Sequence, residues 1–224
     1  MINKKIIFDD LSDVVSVWCG ADVEVGDLAR MVDDLTRRQV GALSVVPAVV
    51  PVVWPWMEKM NTKILARFYF PDAEITDKQI SDVTIRINNA FKQGAHGAQV
   101  FLPYVALAGL VEQTHVIRGD LFFNKDLIIG IDIADIDSSD WGDLFEKLRK
   151  INASALLLVL TKDAGAKSDF VGRLYGMLDK WESENNFDLH FAFGQNFVRR
   201  EQTARLIRAM RPDLAKNMKF FVNY

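Results

Sequence analysis

Eight short apolar runs punctuate this chain. They are Ser16–Gly20, Gly41–Val46, Lys63–Phe70, Gly97–Leu102, Leu127–Ile133, Ala155–Leu160, Leu189–Gly194 and Met218–Asn223. Most are continuously apolar rather than alternating, which is how parallel strands read when both faces are covered. Their starts lie about 30 residues apart, the length that a strand, a helix and two loops require. Between the runs lie amphipathic stretches. Val25–Gln39 places Leu28, Met31, Val32 and Leu35 on one stripe, and Asp77–Gln93 does the same with Ile80, Val83, Thr84, Ile87 and Phe91. Asp140–Lys150, Asp169–Glu184 and Arg200–Met210 continue the alternation. Thr76 and Asp140 stand where helix N-caps are expected, and Gly41 and Gly94 stand where helices are expected to stop. The pattern predicts a (β/α)8 TIM-type barrel in one domain spanning residues 1–224. The chain stops at Tyr224, directly after the eighth run, so the expected barrel lacks its last outer helix.

Composition narrows the function classes. The chain has 224 residues, half of them hydrophobic, enough for a large core. With 27 basic and 30 acidic residues the net charge is −3, which argues against a nucleic-acid partner. The longest apolar stretch, Val45–Met57, carries three prolines and is too short to span a bilayer. The N-terminal residues lack a secretion-signal pattern, and the single cysteine, Cys19, suits a reducing compartment. These features predict a cytoplasmic protein with no membrane partner.

A site in such a barrel forms at the C-terminal ends of the strands. Few polar residues fall there. Asp132, Asp135 and Asp137 follow the fifth run; clustered carboxylates hold cations or act as general bases, but a solvated loop and a helix cap account for Asp135 and Asp137 equally simply. Lys162 follows the sixth run and would form an imine if burial lowered its pKa, although neighbouring Asp163 favours an exposed, paired lysine. Arg67 sits among aromatic residues in the third run, either as an anion ligand or as the partner of Asp132 or Asp22. Cys19 ends the first run, and a small buried residue is its simpler role. His190 opens the seventh run, which places it at the floor rather than the mouth. The loop after that run supplies Gly194, Gln195 and Asn196, a weak signal for anion binding through backbone N–H groups, and Asn223 ends the eighth run. Histidine and cysteine show no metal-ligand spacing, so neither metal nor cofactor is expected.

Four segments together resemble the deoxyribose-phosphate aldolase family of class I aldolases. They are Gly41–Val50 (GALSVVPAVV), Phe68–Thr76 (FYFPDAEIT), Phe91–Leu110 (FKQGAHGAQVFLPYVALAGL) and Ala192–Met210 (AFGQNFVRREQTARLIRAM). The resemblance implies an imine-forming lysine in strand six, a second lysine in strand seven and an aspartate in strand four. On that pattern Leu157 falls at or near the first position, Phe191 at the second and Gln99 at the third. A leucine cannot form an imine, and a phenylalanine cannot lower a neighbour's pKa by charge.

Two readings follow. In the first, the barrel has lost the imine lysine and acts as a non-catalytic binding or assembly protein, and the aromatic segment Pro51–Met57 forms either helix packing or an interface between copies in a homo-oligomer. In the second, an enzyme of lyase or isomerase type acts on a small phosphorylated or carbonyl metabolite. Asp132 is then the base, Gln99 or Asn223 a polarising amide, and Arg67 or Lys162 the anion ligand. A mouth blocked by Phe191, Phe193 or Tyr104 would favour the first.

Overall fold

A computed structural model describes residues 15–20, 23–38, 40–70, 75–112, 124–160, 170–182, 185–193, 197–215 and 218–223. Eight strands form the expected parallel barrel: β1 (Val15–Trp18), β2 (Ala42–Val45), β3 (Lys63–Tyr69), β4 (Gly97–Phe101), β5 (Asp126–Asp132), β6 (Ala155–Val159), β7 (Asp188–Ala192) and β8 (Lys219–Asn223). They hydrogen-bond in chain order, and β8 pairs with β1 to close the ring, Val17 beside Val222. Among the described residues, the helices between the strands are α1 (Val25–Arg37), α2 (Val50–Met57), α3 (Asp77–Lys92), α4 (Leu107–Glu112), α5 (Trp141–Lys150), α6 (Phe170–Lys180), α7 (Phe197–Met210) and the one-turn α8 (Pro212–Ala215). None of them is long and apolar enough to cross a membrane.

The strand runs are continuously apolar because the wall is buried twice. Alternate residues such as Leu65, Ile128, Leu157 and Phe221 fill an inner cluster. Their neighbours Ile64, Ile129, Leu158 and Phe220 join an outer cluster with the helix stripes. α1 contributes Leu28, Met31, Val32 and Leu35, as its spacing predicts; α3 contributes Ile80, Val83, Thr84, Ile87 and Ala90. Helix-period side chains thus seal the outside of a wall whose own period is two.

Helix ends follow the expected chemistry at two of four positions. Thr76 forms a capping box: its hydroxyl accepts from the Gln79 N–H, and the Gln79 side chain accepts from the Thr76 N–H. Gly94 follows α3 with φ +108°, and a Cβ there would collide with the Trp54 ring, so the turn needs glycine twice over. Asp140 precedes α5 but caps it through no side-chain bond. Gly41 lies beyond the end of α1 and leads into β2. In α2, Val50, Val53 and Met57 face the core, Trp54 packs against it half-buried, and Trp56 remains 37% exposed.

Candidate functional site

The inner stripe of each strand divides into three levels. At the N-terminal floor, Lys63 pairs with Asp126 at 2.5 Å and Lys219 with Asp188 at 3.0 Å. Gly97 lies between β3 and β5 here, and a Cβ on it would come within 2.8 Å of Asp126. His190 sits 4.0 Å from Asp188, fully enclosed. Burial first, then the positive charges of Lys219 and Lys63, push its pKa down to about 3, so it is neutral near pH 7. This is the floor position expected from its place at the start of β7.

The middle level is polar on one side. Arg67 and Gln99 are neighbours across β3 and β4, and both are buried. Arg67 Nη2 donates to the Cys19 carbonyl at 2.6 Å, and its guanidinium lies 5.4 Å from the Trp18 ring centroid and 5.9 Å from that of Tyr69. Ser44 Oγ donates to Gln99 Oε1 at 2.6 Å. Three buried N–H groups at this level have no hydrogen-bond partner among the described residues: Arg67 Nε, Gln99 Nε2 and Trp18 Nε1. Arg67 pairs with neither Asp132 nor any other carboxylate among the described residues; Asp22, its other expected partner, lies outside them. Desolvation lowers its pKa, with Tyr69 and Cys19 acting in the opposite direction. Across the barrel the same height is apolar, with Leu157 on β6 and Ala192 on β7 in the inner cluster.

The upper level is aromatic. Phe101 stacks on Tyr69 at 4.9 Å and meets Trp18 edge-on at 5.5 Å, and Trp18 lies 6.0 Å from Phe221. Phe101 covers Gly130, where a Cβ would stand 2.5 Å from its Cδ1. Among the described residues the rings on the mouth side are therefore Trp18, Tyr69 and Phe101, with Phe221 one step deeper, paired with Ser16 and Ala192. Phe191 and Phe193 instead point outward, stacked with Phe220 beneath the helices. Tyr104 lies outside the barrel wall, its hydroxyl donating to Asp143 at 2.6 Å. The outward turn of Phe191 means that β7 presents His190 and Ala192 to the interior, a shift of one residue from the position matched by sequence.

The remaining candidates scatter. Cys19 belongs to the outer cluster; its thiol donates to the Gly20 carbonyl, and burial raises its pKa above the ordinary thiol value. Asp132 ends β5 at the mouth, but its carboxylate accepts from the Ala134 N–H at 2.9 Å and caps the turn Ile133–Asp135. Burial and the charge of Asp132 raise the pKa of exposed Asp135, while Arg173 opposes them. Asp137 is exposed 3.4 Å from Arg173. Among the described residues no cluster of His, Cys, Asp or Glu could hold a metal. Asn223 is placed by its backbone beside Trp18 at the mouth end of β8. Lys162, Gly194, Gln195 and Asn196 lie outside the described residues.

Sequence reasoning singled out Arg67 and Gln99 but not Trp18, Ser44, Tyr69 or Phe101. The signal was present: a two-residue step from Arg67 reaches Tyr69, and one from Gln99 reaches Phe101.

No family model and no curated protein matches the chain. Solved structures do match in fold. The aldolase QR15 is 11% identical, with TM-score 0.67 over 94% of this chain and 92% of its own. A tetrameric deoxyribose phosphate aldolase from Aeropyrum pernix is 10% identical, with TM-score 0.59 over 82% and 80%. A Streptococcus agalactiae protein assigned as the copper homeostasis protein CutC is 8% identical, with TM-score 0.65 over 93% and 98%. The likeness fixes an aldolase-like barrel; because it also reaches a protein outside the aldolases, chemistry has to be argued from the site.

Proposed function

We propose that this chain, an aldolase-like (β/α)8 barrel, binds a small anionic metabolite non-covalently at the strand ends and forms no imine with it. The observation that carries this reading is Arg67: a buried cation inside the barrel with no carboxylate partner among the described residues. An uncompensated buried charge is costly, and an anion supplied from solution removes that cost. The inner face of β6 supports the same reading, because Ala155, Leu157 and Val159 offer no nucleophile.

Two measurements test this. Borohydride reduction in the presence of aldehyde substrates, including deoxyribose 5-phosphate, is expected to leave the protein mass unchanged and turnover undetected. A covalent adduct lost in Lys162→Ala would overturn the reading. Small anions are expected to raise the melting temperature of the native protein but not that of Arg67→Met.

The second reading, an enzyme of lyase or isomerase type, rests on Asp132, which ends the inner stripe of β5 at the mouth. It expects proton exchange at a carbon acid that Asp132→Asn abolishes. The cap that Asp132 makes to Ala134 gives that carboxylate a structural role already, which places this reading second.

A further inference from the structure

The donors around Arg67 specify more than negative charge. Arg67 Nε, Gln99 Nε2 and Trp18 Nε1 are all donors, all buried and all unpartnered. The Gln99 carbonyl oxygen, which would have supplied an acceptor, is occupied by the Ser44 hydroxyl. What satisfies this set must present acceptor atoms, and buried polar groups are rarely left unmet in a folded protein.

Charge sets the second constraint. One guanidinium stands at this level, already desolvated and without a counter-charge among the described residues. A single negative charge neutralises it. A phosphate monoester at pH 7, above its second pKa of about 6, carries between about 1.5 and 2 negative charges, leaving excess charge in a low-dielectric interior. The guanidinium fork takes carboxylate and phosphate alike, so charge is what separates the two here.

The surroundings set the third. Tyr69 and Phe101 follow Arg67 and Gln99 by two residues on their strands, so their stacked rings roof the donor level on its mouth side. Trp18 and Phe221 continue the aromatic surface. Tyr69 is 58% exposed and its ring lies 5.9 Å from the Arg67 guanidinium, so a ligand reaching Arg67 from the mouth takes the place of that ring. A ligand body replacing the Tyr69–Phe101 stack must itself be apolar or aromatic.

We infer that the barrel binds an aromatic or apolar monocarboxylic acid, with its carboxylate on Arg67 and Gln99 and its body against the Trp18 and Phe101 rings in the place of Tyr69. This inference rests on the proposed anion-binding reading and names the ligand class of that same site. No bond forms or breaks in it.

The test is titration calorimetry of the full chain at fixed ionic strength. The probes are 3-phenylpropanoate, benzoate, phenyl phosphate, glyceraldehyde 3-phosphate and the uncharged 3-phenylpropanol. Saturable binding of a carboxylate probe is expected. Affinity should fall roughly 10- to 100-fold in Arg67→Met, the scale of one charge-assisted pair. Arg86→Met, on the outer side of β3 against Phe68, should leave it unchanged. Gln99→Leu provides a second variant if Arg67→Met does not fold, and the same direction of loss is expected. Tighter, Arg67-dependent binding of either phosphate would overturn the carboxylate assignment while leaving the anion-binding reading intact. Binding of 3-phenylpropanol as tight as that of the acid would overturn both, and so would the absence of Arg67-dependent binding by every anion.

Discussion

At Gly130 a methyl group has no room, because the Phe101 ring lies across the backbone. That single absence lets a large aromatic side chain enter the barrel from β4 and still pack flat against Tyr69 from β3. Gly130→Ala should therefore destabilise the protein by about 1–3 kcal/mol, the usual cost of overpacking a core. The check is urea denaturation, with Phe101→Val added in the same chain to recover part of the loss. If the double variant is no more stable than Gly130→Ala alone, the contact is not what makes glycine necessary. Arg67 shows how far single residues were legible in the sequence. A charge within an apolar run marks itself, and its two candidate roles were a ligand contact and an ion pair. The structure gives it a backbone carbonyl and two aromatic faces, partners that no charge count reveals, and no ion pair with Asp132. Cys19 sits one residue beyond the inward-facing Trp18, and that one step carries it to the opposite side of the wall.

Elements were more legible than sites, and the reason is period. A helix stripe such as Leu28, Met31, Val32 and Leu35 names its buried face directly. A strand buried on both sides is apolar at every position, so the run announces its existence but not which residues look inward. That ambiguity explains Phe191. In DLHFA the polar Asp188 and His190 share one parity and the apolar Leu189 and Phe191 the other, so alternation separates the faces without saying which looks inward; pairing of His190 with Lys219 settles it in favour of His190 and Ala192. The start of α3 is the opposite case, because Thr76 and Gln79 declare the capping box by spacing alone. Thr76→Ala should cost about 1 kcal/mol of stability by leaving an N–H of the first turn unpaired. Chemical denaturation measures it. Thr76→Ser should retain most of that stability, and an equal loss in both variants would mean that the hydroxyl is not the cause.

For the molecule as a whole, the closed ring makes the floor and the mouth chemically unlike. Charged pairs and a neutral histidine occupy the floor; donors and rings occupy the mouth. The floor governs behaviour in acid. The folded pKa of His190, about 3, lies below the unfolded value near 6.5, so the unfolded chain takes up the proton first. Its contribution is fully present above pH 6.5 and is lost progressively as the pH falls toward 3, an effect on the order of a few kcal/mol. Urea midpoints measured from pH 7.5 to 4.5 should fall, and His190→Phe should flatten the limb below pH 6.5. An unchanged limb would assign acid sensitivity to other groups. The pairing of β8 with β1 bears on how the protein is made. Val17 and Val222 are strand neighbours, yet a ribosome produces the second roughly 10–40 s after the first at 5–20 residues per second. Throughout that interval β1 presents an unpaired backbone edge whose partner does not yet exist, and a nascent chain of this kind is a natural client for chaperones that shield exposed strands until synthesis reaches the last one.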